Sequence, residues 1–133
     1  MLIAGAPPAS IVFVALCYAL GAHGIMTLND FKALDGDRAT GVNSLPVTLG
    51  PERAARLACL VMAVPQVAVV LALAAWDRPL HAAAILVLLL LQGLAMRVLL
   101  RDPKAKAPWY NATGVTLYVT GMMVAAFALR GLP

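Results

Sequence analysis

Three carboxylates and two cations lie close together in one stretch of the sequence. Asp30, Asp35 and Asp37 are three of the chain's six acidic residues, and Lys32 and Arg38 lie among them. Mg²⁺ is a hard ion that takes a few carboxylates and completes its shell with water and phosphate oxygens. Lys and Arg can neutralise the charge that builds on a departing diphosphate. These residue types predict a site for a metal-bound diphosphate.

The spacing of the aspartates limits how such a site could be built. Asp30 and Asp37 are seven residues apart, so on a continuous helix they share a face and lie ~10 Å apart along the axis. That separation is too large for one shared ion. It suits two ions that flank a diphosphate, or carboxylates that face a second set on another helix. Asp35 points about 140° away from Asp30 on an ideal helix and joins them only if the backbone loosens near Gly36.

Two other interpretations of this stretch remain open. Charges just beyond an apolar helix commonly form a solvated loop with no bound ligand. A calcium loop of the EF-hand type is less favoured, because Ala39 and Thr40 stand where that loop needs an acid or amide and then a glycine. His23, inside the preceding apolar stretch, is either a neutral imidazole bonded across helices or a contact to a bound substrate.

The elements that position these residues follow from the composition. Hydrophobic residues make up 62% of the 133 residues and charged residues 12%, with a mean hydropathy of +0.89. A chain this short cannot hide so much apolar surface in a globule. This argues against a soluble enzyme, a disordered tail and a nucleic-acid partner. It predicts one all-α, multi-pass transmembrane bundle over residues 1–133, with the lipid bilayer as its partner. The predicted helices cover about 10–28, 57–76, 80–100 and 112–129, with a motif loop at 29–55.

The positions of Lys and Arg predict the orientation of the bundle. Their counts before, between and after the four apolar segments run 0, 4, 1, 4 and 1. This alternation follows the positive-inside rule. It predicts an inner-membrane protein with the motif loop in the cytoplasm and both termini in the periplasm. Gly114 and Gly121 share a face of the last helix and predict a close approach by another helix.

The run from 28 to 50, L-N-D-F-K-A-L-D-G-D-R-A-T-G-V-N-S-L-P-V-T-L-G, resembles the second aspartate-rich motif of UbiA-type intramembrane prenyltransferases. Within that superfamily it is most similar to the chlorophyll and bacteriochlorophyll synthases. The preceding G-A-H-G-I-M-T resembles the bacteriochlorophyll branch, and Asp35 replaces the glutamate usual in the motif. The family has about nine membrane helices and two such motifs. The resemblance therefore implies helices six to nine of that fold, its C-terminal part. Three alternatives remain open: a fragment, a truncated gene product, or one piece that needs the missing N-terminal half as a partner.

The resemblance also implies a reaction and a set of residue roles. These enzymes use Mg²⁺ to join a prenyl diphosphate, here geranylgeranyl or phytyl diphosphate, to the propionate carboxyl of a (bacterio)chlorophyllide, and they release diphosphate. The implied catalytic residues are Asp30, Asp37 and Lys32. The implied metal ligands are Asp30, Asp35 and Asp37. The implied diphosphate ligands are Lys32, Arg38 and Asn29, and the substrate pocket would include His23, Asn43 and Ser44.

Two other functions remain as alternatives. One is a prenyltransferase for a quinone or haem precursor, against which N-D-F-K and N-S-L-P argue. The other is a non-catalytic membrane subunit of a pigment complex, for which Asp30→Asn and Asp37→Asn should leave function intact. Because no second N-D-x-x-D-type run exists in the sequence, we expect the chain alone to be inactive.

Overall fold

Helices account for nearly all of the backbone in a computed structural model that describes residues 5–132. No strand occurs within that range. The elements follow in this order: α1 (Ala9–Asn29), a 3₁₀ turn (Asp30–Ala33), α2 (Leu34–Thr40), α3 (Leu45–Leu49), α4 (Pro51–Ala75), α5 (Pro79–Arg101) and α6 (Pro103–Ala128).

Four of these helical stretches are long and apolar enough to cross a membrane. They are α1 with its continuation to Thr40, α4, α5 and α6. Many large apolar side chains also point away from the bundle, among them Leu16, Leu71 and Leu80, which are 64%, 65% and 83% exposed. Such a surface is stable against lipid and unfavourable in water. The predicted all-α bundle of four membrane helices is confirmed, and the chain is an integral membrane protein.

The helices extend further than the apolar segments indicated. Helix α4 begins at Pro51 and α6 at Pro103, whereas hydropathy predicted starts near 57 and 112. Both helices have proline at their first position, where the missing N–H costs nothing. The Asp102 side chain also caps α6 by accepting a hydrogen bond from the N–H of Ala105 at 3.4 Å. Hydropathy detects only the part of a helix that faces lipid, so it misses these polar first turns.

The segment predicted as a loop at 29–55 is mostly helical. The 3₁₀ turn and α2 continue α1 as far as Thr40, and Gly41 then ends α2 in the left-handed conformation, with φ 76°. Glycine is favoured at this position, because it adopts the left-handed conformation without a steric penalty. A short connection leads to α3, and Gly50 lies between α3 and α4. The polar motif is therefore held on helical backbone at one end of the bundle.

Packing in the bundle places α1 against α4 and α6, and α5 against α4 and α6. Helices α1 and α4 approach closely at Gly24, where an added Cβ would lie 2.6 Å from the carbonyl oxygen of Ala58. The sequence predicted that another helix would pack closely against Gly114. Instead, the ring of Tyr110, which lies on the same helix, covers Gly114. The buried core contains Tyr18, Tyr110 and Tyr118 together with aliphatic side chains from all four long helices.

Candidate functional site

Asp30 and Asp37 lie on the helical continuation of α1 at the polar end of the bundle. Asp30 opens the 3₁₀ turn and Asp37 lies in α2. Both residues are half-buried, and between them Phe31 and Leu34 are buried and anchor the segment to the core. Neither side-chain carboxylate makes a hydrogen bond or ion pair with any residue in the described range 5–132. The two carboxylates are therefore available to a ligand.

Asp35 is placed differently from the other two aspartates. It is exposed, and its Oδ1 lies 3.2 Å from Nζ of Lys104 in the first turn of α6. The pair is solvated on both sides, with side-chain exposures of 78% for Asp35 and 55% for Lys104. Ion pairs of this kind add little stability. The contact nevertheless shows that the start of α6 borders the motif, which the sequence did not indicate.

Asn29 makes the second contact between the motif and α6. Its Oδ1 accepts a hydrogen bond from Nδ2 of Asn111 at 3.1 Å. Asn111 is half-buried, and its own Oδ1 is buried without a partner in the described structure. Sequence reasoning did not select Asn111. The sequence did contain one indication of its role. Asn111 is an amide at the edge of an apolar segment, where a polar side chain needs a hydrogen-bond partner.

The other predicted site residues lie around the same end of the bundle. Lys32 and Arg38 are exposed, and neither has an ion-pair partner among residues 5–132. Asn43 is exposed, whereas Ser44 is half-buried, and its buried hydroxyl oxygen has no hydrogen-bond partner in the described part of the chain. His23 lies further along α1 towards the membrane and is exposed on the bundle surface. Its side chain makes no hydrogen bond across helices within the described residues.

The chemistry of the donors suits Mg²⁺, since carboxylate oxygens are hard ligands. Residues 5–132, however, contain no group of three or more His, Cys, Asp or Glu side chains close enough to hold a metal ion. The structure therefore does not bring Asp30, Asp35 and Asp37 together around one point. A bound ion would need further oxygens from diphosphate, from water or from carboxylates outside this chain.

Comparison with known proteins adds to this geometry. The sequence profile of the UbiA prenyltransferase family matches residues 1–118. This chain belongs to the UbiA prenyltransferase family. The match includes the whole polar segment, so the aspartates and cations described above lie within the UbiA region. No solved structure gives a significant match.

Individual UbiA relatives give a narrower similarity. The chain is 68% identical over 132 residues to the bacteriochlorophyll synthase 33 kDa chain of Cereibacter sphaeroides. It is 44% identical over 118 residues to the 34 kDa chain of Chloroflexus aurantiacus, and 34% identical over 119 residues to the chloroplastic chlorophyll synthase of Arabidopsis thaliana. These alignments cover 99%, 89% and 89% of this chain. They cover only 44%, 38% and 31% of the relatives, so the chain spans less than half of their length.

Proposed function

We propose that this chain forms one half of the active site of a Mg²⁺-dependent prenyltransferase of the bacteriochlorophyll synthase type. The full site would esterify a (bacterio)chlorophyllide with geranylgeranyl or phytyl diphosphate and release diphosphate. The observation that carries the proposal is the pair of half-buried carboxylates of Asp30 and Asp37 at the polar end of an apolar bundle, neither of which has a partner among residues 5–132. The 68% identity to the Cereibacter sphaeroides chain supports the choice of substrates.

In this proposal the carboxylates and cations of the motif have separate tasks. Asp30 and Asp37 hold the Mg²⁺-bound diphosphate, and Asp35 assists after leaving Lys104. Lys32 and Arg38 neutralise the diphosphate as the bond between its oxygen and C1 of the prenyl chain breaks. The metal, when bound, withdraws charge from the leaving oxygens.

The remaining roles concern orientation of the substrates. Asn29 orients the diphosphate end of the site, and His23, Asn43 and Ser44 border the acceptor. The chlorophyllide carboxylate oxygen attacks C1, so that an ester forms and the diphosphate departs with the electrons of the broken bond. The apolar tail and ring lie among the membrane helices, which explains why the polar groups are confined to one end.

In the proposal, the part of the relatives that does not align with this chain supplies the rest of the active site. A second aspartate-rich motif, outside the region aligned with this chain, faces Asp30 and Asp37 and completes the metal shell. The chain by itself is then inactive. We place the protein in the cell inner membrane, with the motif on the cytoplasmic side and both termini in the periplasm, because the basic residues alternate in that sense.

The decisive experiment joins this chain to the N-terminal part of the Cereibacter sphaeroides relative and measures esterified pigment from chlorophyllide and prenyl diphosphate. We expect Asp30→Asn and Asp37→Asn each to abolish the product without loss of membrane insertion. A chelator should stop the reaction, and Mg²⁺ should restore it. Asp77→Asn is the matched control, because Asp77 lies in the turn between α4 and α5, and asparagine tolerates its φ of 56°.

Two results would contradict the proposal. Full activity in both motif variants would favour a non-catalytic membrane subunit. Ester formation by the purified chain without added segments would show that a single motif is sufficient.

A further inference from the structure

Two polar atoms in the middle of the bundle have no hydrogen-bond partner among residues 5–132. They are the hydroxyl oxygen of Tyr18 on α1 and Oε1 of Gln66 on α4. The two side chains are deeply buried, with 4% and 1% of their surface exposed. A buried polar group without a partner is strongly unfavourable, and lipid around the bundle offers it none. Something other than the described side chains must satisfy these atoms.

The surrounding hydrogen bonds show why the oxygen of the Gln66 amide, rather than its nitrogen, has no partner among the described residues. Its Nε2 donates to the carbonyl oxygen of Met62 and to Oε1 of Gln92, both at 2.9 Å. Turning the amide over would place its oxygen against these two acceptors, so the assigned orientation is the favourable one. Gln92 in turn donates from Nε2 to the hydroxyl of Tyr110 at 2.9 Å. Gln66 therefore presents an acceptor to the space beside it.

Both unpartnered atoms lie next to Gly121 on α6. A Cβ added there would be 3.4 Å from the Tyr18 hydroxyl and 3.8 Å from Oε1 of Gln66. These are ordinary contact distances, so close packing does not require glycine at this position. Close packing does require glycine at Gly24, because a Cβ added there would clash with the backbone carbonyl of Ala58. What Gly121 provides is room between a donor and an acceptor.

We propose that one water molecule binds at Gly121, where it accepts a hydrogen bond from the Tyr18 hydroxyl and donates one to Oε1 of Gln66. Buried waters characteristically satisfy groups of this kind in polar sites. The water completes a path from Tyr18 through Gln66 and Gln92 to Tyr110. That path joins α1, α4, α5 and α6, so a single polar layer links the four membrane helices. This site is independent of the proposed enzyme activity.

Substitutions at Gly121 test the site through the stability of the chain in detergent micelles. We expect Gly121→Ala to displace the water and to raise the unfolding equilibrium constant about tenfold, although alanine favours helix more than glycine does. Gly121→Ser should restore stability, because its hydroxyl can replace both hydrogen bonds. Gly93→Ala is the control, since a Cβ on Gly93 meets nothing within 4 Å. Unfolding by sodium dodecyl sulfate, followed by circular dichroism, gives each constant.

A direct measurement complements the stability series. In wild-type chain, nuclear magnetic resonance should show magnetisation transfer from a long-lived water to the Gly121 α-protons. In Gly121→Ser the α-proton that remains at position 121 should show no such transfer. An alanine variant as stable as the wild type would overturn the proposal. The absence of water transfer in wild-type chain would overturn it equally.

Discussion

Asn111 and Asn29 are 82 residues apart in sequence, and a 3.1 Å hydrogen bond joins their side-chain amides. The bond connects Asn29, which opens the N-D-F-K part of the motif at the end of α1, to the polar part of α6. Because Asn29 precedes Asp30 directly, α6 helps to fix where the motif begins.

This relationship predicts that Asn111 positions the motif without contacting substrate. In the joined full-length protein, Asn111→Leu should lower kcat/KM for the prenyl diphosphate about 10- to 100-fold, the usual cost of losing a supporting hydrogen bond behind a ligand site. Steady-state assays with varied prenyl diphosphate measure the effect. Thr113→Val is the control, because in the described part of the chain the Thr113 hydroxyl donates to the Trp109 carbonyl of its own helix and to no other group. If the two variants have the same kcat/KM, Asn111 does not position the motif.

The ion pair of Asp35 and Lys104 predicts that Asp35 matters for activity but that the pair contributes little to stability. Both side chains are largely exposed, so Asp35→Asn and Lys104→Ala should each change the free energy of unfolding by less than about 1 kcal/mol. Activity of the joined protein should fall about 100-fold for Asp35→Asn, the lower end of the usual cost of losing one charge-stabilising group. Lys104→Ala should retain wild-type activity. If the two variants lose activity to the same extent, Asp35 acts only through its contact with Lys104.

The contact between α1 and α4 predicts a steric limit at Gly24. In Gly24→Ala the new methyl group would lie 2.6 Å from the Ala58 carbonyl oxygen and 2.6 Å from Cγ of Met62. The helices must move apart, which should cost about 1–3 kcal/mol. Detergent unfolding of the chain measures this loss, with Gly93→Ala as the reference for the helix preference of alanine. An unchanged unfolding midpoint would mean that α1 and α4 are further apart in solution.

Local patterns in the sequence determined the architecture and the location of the candidate site. Stretches of about 20 apolar residues have to be helical in lipid, because each backbone group must be paired within its own segment. The motif stood out because charges are rare in this chain. The exact starts of α4 and α6 were missed, since hydropathy does not register a polar first turn that begins at Pro51 or Pro103.

Only the tertiary structure decided which residues meet. Lys104 reaches Asp35 across 69 residues and Asn111 reaches Asn29 across 82. The Tyr18 hydroxyl on α1 and Oε1 of Gln66 on α4, which have no partner among residues 5–132, both lie next to Gly121 on α6. Such contacts depend on how far each helix is rotated and shifted against its neighbours. Rotation and shift follow from the packing of side chains between helices. A helix that is apolar on every side has no hydrophobic stripe to show which face meets a neighbour.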